Sequence, residues 1–142
     1  MQHDSLAWTI ERTIPSQLAA GHQVLEELLR RLEAEGWSSR DLFGIRLALE
    51  EAIVNAIKHG NRLDISKEVH VICRSTDEKI WIKVSDQGSG FDPEAVPDCT
   101  DDEHIEAPNG RGIMLMRNFM SRVEYNLCGN VVTMEKLRQD AS

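Results

Sequence analysis

The hydrophobic period of the chain changes near residue 60, and that change leaves few architectures open. Before it, apolar residues recur at helical spacing. Leu18, Leu25, Leu29 and Leu32 form one stripe, and Leu42, Ile45, Leu49, Ala52, Ile53 and Ala56 form a second. After it they alternate, with Val69, Val71 and Cys73 on one face of EVHVICR and Ile80, Ile82 and Val84 on one face of KIWIKVS. Gly36 stands where a glycine ends a helix, and Ser38 with Asp41 three positions on marks the start of the next, which runs to Gly60. A helix with one apolar stripe and a strand with one apolar face must bury them against each other, so helices cover one side of a sheet.

The remaining segments fit this plan. Trp8, Ile10 and Ile14 predict an opening strand that stops at Pro15. Ile113, Met116 and Met120 have helical spacing, and Val123, Tyr125 and Leu127 pair with Val132 and Met134 across Gly129-Asn130 as a final hairpin. The expected fold is α+β, a two-layer sandwich whose mixed, mostly antiparallel sheet is covered by helices on one face. From Ser85 to Asn109 the chain loses periodicity and fills with Asp, Gly, Pro and Glu. That is long for an idle connection, and we read a lid at about 92–110. With 142 residues, 41% of them apolar, the chain has material for one core, and residues 1–142 are expected to form a single domain.

Several classes are disfavoured. No apolar run reaches membrane-spanning length, and MQHDSLAW lacks the regions of a signal peptide, so a cytoplasmic, soluble protein is expected. A net charge of −8 opposes a surface built to neutralise nucleic-acid phosphates. Cys73, Cys99 and Cys128 lack zinc-ligand spacing and read as free thiols, while the consecutive acids of TDDEHIEA point in different directions and suit a solvated loop.

Three short motifs carry chemistry. In EEAIVNAIKHG, residues 50–60, Glu51 and Asn55 lie about 40° apart on a helical wheel, whereas Glu50 projects about 100° away from Glu51. An Asn oxygen can ligate Mg²⁺ without adding charge, and a nearby carboxylate can take a proton during phosphoryl transfer. The spacing alone equally describes a solvated helix face. In SDQGSGFDP, residues 85–93, Gly88 and Gly90 permit close backbone approach, and Asp86 at a strand end can accept a hydrogen bond from the exocyclic amine of a base. A polar glycine-rich turn is the plainer reading, and neither a dinucleotide-binding fingerprint nor a P-loop is present. In NGRGIMLM, residues 109–116, Gly110 and Gly112 would turn amide N–H groups toward phosphates at a helix start, with Arg111 as an added cation; an ordinary helix entry has the same pattern.

Taken in order, E-x-x-x-N, D-x-G-x-G and G-x-G-x-x-L, the three resemble the ATP-binding family shared by gyrase, the chaperone Hsp90, histidine kinases and mismatch-repair ATPases. The chain looks most like the anti-sigma factor and serine-protein kinase branch of that GHKL family, from about Leu6 to Leu137. The resemblance implies Glu51 as general base, Asn55 as Mg²⁺ ligand, Asp86 as the adenine contact, Gly88 and Gly90 shaping that pocket, and Gly110 and Gly112 admitting the phosphates of ATP. Lys58 and His59, at the end of the same helix, and Phe91, Asn109, Arg111 and Ile113, within the other two motifs, are further candidates for nucleotide contact. It also implies a STAS-type anti-anti-sigma protein as phosphorylation partner, a sigma factor as second partner, and a homodimer. Gyrase-like machines need further domains, and a complete histidine kinase needs a phosphoacceptor hairpin for which the residues ahead of the second helix leave no room. A nucleotide-gated module that sequesters a partner without kinase activity is the alternative.

Overall fold

The computed structural model describes residues 7–88, 117–126 and 130–139. Strand β1 spans Trp8–Pro15, helix α1 Leu18–Ala34 and helix α2 Ser39–Val54, which continues without a break into a π-helical segment, Asn55–Gly60. Then come β2 at Glu68–Ser75, β3 at Lys79–Asp86, a helical turn at 117–119, β4 at Arg122–Tyr125 and β5 at Val131–Leu137.

The strands form one sheet in the order β1-β2-β3-β5-β4, and all four pairings are antiparallel. No parallel pair occurs among the described strands, although the sequence left room for a mixed sheet. The reason lies in the return path. The chain leaves β3, comes back at the far edge as β4, and β5 then lies between β4 and β3.

The alternating residues behave as their period requires. Val69, Val71, Cys73, Ile80, Ile82, Val84, Val132 and Met134 turn one way and are buried against Leu25, Leu28, Leu32, Ile45, Leu49, Ile53 and Ile57 of the helices. Gly36 ends α1 with φ +86°, a conformation that L side chains avoid, and Ser38 caps α2 by accepting the Asp41 N–H at 3.1 Å. Leu18 departs from the expected stripe. It is the first residue of α1 and 48% exposed, beyond the point where α1 meets α2 at Gly21. A Cβ on Gly21 would lie 2.7 Å from Ile53 Cγ2, so the missing side chain is what lets the two helices touch.

Candidate functional site

The site is built where the long helix loosens. Through Val54 it is α-helical; from Asn55 the hydrogen bonds reach one residue further, and the segment closes with Asn61 N–H donating to Ala56 O at 2.8 Å. Such wide turns cost packing and concentrate at functional sites. This corrects the regular helix expected up to Gly60. Glu51 is in the last α turn and Asn55 opens the π segment, both half-buried, whereas Lys58 and His59 are exposed at its far end. The i to i+4 stacking that would have kept His59 in line with Glu51 and Asn55 is lost with the α register.

Asp86 is the last residue of β3, its backbone fixed by Asp86 N–H to Asn130 O at 2.9 Å. Its carboxylate rests on the end of the π segment, where a Cβ on Gly60 would fall 2.2 Å from Asp86 Oδ2. Asp86 Oδ1 accepts the Gly88 N–H at 2.8 Å, and a Cβ on Gly88 would lie 2.0 Å from Gly60 O. Gly60, Asp86 and Gly88 therefore interlock only because two of them have no side chain. Burial pushes the Asp86 carboxyl up to about 6, against the opposing pull of the Gly88 N–H and the Lys67 charge. The protein holds this acid in a cradle that compensates little of its lost hydration.

Two residues that sequence reasoning did not single out complete the arrangement. Tyr125, at the end of β4 opposite Val132, packs against the core and shares a hydrogen bond with the Asn55 side chain. Burial pushes its phenol up to about 12; the Asn55 hydrogen bond opposes this, the charges of Glu51 and Asp86 add to it, and Arg117 counters. Glu51, Asn55 and Asp86 thus all bear on the charge of this one phenol. Alternation alone had made Tyr125 a core residue.

Asn61 is the second. Only 1% exposed, it donates from Nδ2 to Ser16 Oγ at 2.8 Å and to Glu68 O at 3.0 Å, while its Oδ1 accepts the Gln87 N–H at 2.9 Å. Gln87 Oε1 in turn accepts the Glu68 N–H at 2.7 Å. One carboxamide ties the end of the π segment to β1, β2 and the residue after Asp86. Beyond it, Arg62 and Leu63 both take positive φ, 54° and 60°, a costly pair outside glycine. A signal existed in the sequence: a polar residue directly behind a helix-ending glycine.

The donor set suits a cation shared with phosphates rather than caged by protein. Among the described residues no cluster of three His, Cys, Asp or Glu could hold a metal. One Asn oxygen with one carboxylate a helical turn before it is the chemistry Mg²⁺ accepts when phosphate and water supply the other ligands. Of the expected site residues, Asp86 and Gly88 meet at Gly60, the end of the π segment, and Glu51 and Asn55 lie on adjoining turns at its start. Gly90, Phe91, Asn109, Gly110, Arg111, Gly112 and Ile113, and the lid at about 92–110, lie outside the described residues.

Known proteins share this plan. Residues 14–136 match the histidine kinase-like ATPase domain. The serine/threonine-protein kinase BtrW of Bordetella bronchiseptica is 29% identical over 91 residues, which cover 63% of this chain and 64% of that protein. The match therefore spans less than two thirds of BtrW. The serine-protein kinase RsbW of Bacillus licheniformis is 32% identical over 111 residues, 71% of this chain and 68% of its own. A solved Mycobacterium tuberculosis structure of RsbU and RsbW domains superposes with a TM-score of 0.65 over 94% of this chain and 34% of that one, at 19% identity, a likeness of fold. Among the described residues no helix is long and apolar enough to cross a membrane.

Proposed function

This chain belongs to the histidine kinase-like ATPase family, and on that premise we propose that it is an ATP-dependent anti-sigma regulator. In this reading it phosphorylates a STAS-type anti-anti-sigma partner on serine or threonine, and in its other state holds a sigma factor. The observation that carries the reading is the Asp86 carboxylate, desolvated and cradled by two glycines at the end of the π segment that Asn55 opens. The names of the related kinases support the choice of reaction.

Asp86 accepts a hydrogen bond from the adenine amine, and Gly88 and Gly90 shape the pocket around it. Gly110 and Gly112 admit the phosphates, with Lys58, His59 and Arg111 as further nucleotide contacts. Asn55 would hold Mg²⁺ through its side-chain oxygen, and the ion would supply charge neutralisation for the phosphates. Glu51 takes the acceptor hydroxyl proton as that oxygen bonds to the γ-phosphorus and the bond to the β-phosphate oxygen breaks, releasing ADP. The domain works in the cytoplasm, as one unit, and pairs with a second copy.

Transfer of labelled γ-phosphate to a STAS partner tests this. Glu51→Gln is expected to lower the transfer rate about 100-fold or more while leaving ADP affinity in place. Equal transfer by both proteins removes Glu51 from the base role. Stoichiometric partner capture with ATP unspent would favour the binding module.

A further inference from the structure

Gln87 is the first residue past β3, and the ladder between β2 and β3 ends one position earlier, at Val69 opposite Asp86. A backbone N–H at that point has no strand to bond to and needs another acceptor. Asn61 supplies it from the end of the π segment, its Oδ1 taking the Gln87 N–H at 2.9 Å. The residue held in this way stands between Asp86 and Gly88.

Every polar atom of the Asn61 carboxamide is committed. Nδ2 donates to Ser16 Oγ at 2.8 Å and to Glu68 O at 3.0 Å, and Ser16 Oγ passes its own hydrogen to Lys67 O at 2.7 Å. A flipped amide would set oxygen against the Glu68 carbonyl and nitrogen against the Gln87 N–H, so one orientation satisfies the whole set. Asn61 and Ser16 are both buried, where an unpaired group is costly. Directly beyond, the chain accepts two left-handed residues, Arg62 and Leu63, a strain that persists where surrounding contacts fix the backbone.

What this clamp secures is the approach of two backbones. Asn61 follows Gly60, and Gln87 follows Asp86; the Asp86 carboxylate rests on Gly60, and Gly88 lies against the Gly60 carbonyl. A carboxylate that has given up water gains by turning outward unless the backbone around it is held. Asn130 O holds it from β5 through the Asp86 N–H, and Asn61 holds it from the helix side through Gln87.

We propose that Asn61 is a positioning residue for base recognition: through the Gln87 N–H it keeps the Asp86 carboxylate seated on Gly60, and so sets a preference for adenine over a base with oxygen in place of the exocyclic amine. The inference rests on the reading of Asp86 as the adenine contact. Asn61, 1% exposed, acts through Gln87 and Asp86.

The test separates base preference from stability. ADP and inosine diphosphate, which carries an oxygen where ADP carries the amine, are titrated calorimetrically well below the melting temperature. Wild type is expected to prefer ADP at least about tenfold, the worth of a hydrogen bond to a charged acceptor. Asn61→Ala is expected to melt lower and to cut that preference about fivefold. Asn61→Asp keeps an oxygen for the Gln87 N–H and gives up both donors, so it is expected to melt lower with the preference within about twofold of wild type. A merely structural role would lower the melting temperature and leave the preference alone. Asn61→Ala with an unchanged preference, or Asn61→Asp losing as much of it as Asn61→Ala, overturns the role of Asn61 alone. A wild type that binds both nucleotides equally overturns the Asp86 reading, and this inference with it. Should Asn61→Ala fail to fold, the exposed Gln87 decides: Gln87→Pro removes the N–H and Gln87→Ala keeps it. A preference lost in the first and kept in the second supports the inference, and equal preference in both overturns it.

Discussion

The long helix has a carboxylate held away from water at each end, and the fold treats the two differently. At its start, Asp41 is fully buried, with one oxygen hydrogen-bonded and Oδ1 facing a lysine charge without a hydrogen bond. Its Oδ2 accepts the Gln139 N–H at 2.8 Å, and Lys136 Nζ lies 3.8 Å from Oδ1 while donating to Phe119 O at 2.8 Å. Asp41 thereby fastens the C-terminal strand to the helix entry, helped by Arg138, which donates to Glu35 O at 2.9 Å and lies over the Trp37 ring. At the far end, Asp86 has the Gly88 N–H and a distant Lys67, and burial raises its carboxyl to about 6. One acid has its partners within the protein. The other has, among the described residues, one backbone hydrogen bond to its carboxylate, on a platform bounded by a π segment and two left-handed residues.

Removing each acid should show the difference. Asp41→Ala leaves Lys136 short of its counter-charge inside the fold and is expected to cost about 3 kcal/mol, read as a lower urea midpoint at unchanged m-value. A loss below about 0.5 kcal/mol would mean that the buried pair does no more than a surface one. Gly60→Ala sharpens the contrast from the other side. Its methyl group has no room beside Asp86 Oδ2, so the carboxylate must move. ADP affinity is expected to fall at least about tenfold, or 1.4 kcal/mol, with a smaller loss of stability; unchanged affinity would show that the cradle is irrelevant to nucleotide.

The smallest effect is the most diagnostic. The folded Asp86 carboxyl titrates near 6 and the unfolded one near its ordinary 3.8. Between those values the folded chain binds more protons, so its contribution to stability is full below about pH 4 and disappears as pH rises through 6. Apo protein should therefore gain of the order of 1 kcal/mol from this group on acidification across that window, after allowance for its partial exposure. Nucleotide affinity should move the opposite way, because the protonated acid is a poorer acceptor for the adenine amine. Asp86→Asn should flatten the stability difference, seen by subtracting its pH profile from that of wild type.

The strength of the sequence signal followed local repetition. Val69 to Val84 alternate so regularly that the face of each residue was readable, and Ser38 and Gly36 marked their helix ends through local geometry alone. Glu51 and Asn55 were readable because one turn of helix relates them. Leu18 misled because spacing does not say where the core ends. Tyr125 and Asn61 escaped because their roles depend on residues far along the chain, 26 and 45 positions away for two of the Asn61 partners, and on a π register that no local period announces. Asp41 was legible as a cap partner, but its tie to Lys136 and Gln139 crosses almost the whole chain.

Isothermal titration of Mg-ADP into folded wild-type protein and into Asp86→Asn at pH 7.5 tests the central claim most directly. Wild type should give saturable heat with one nucleotide per chain, and the variant should give none while melting at the same temperature or higher. A silent wild type, or a variant that binds as tightly, would contradict the assignment of this cradle to the base of ATP.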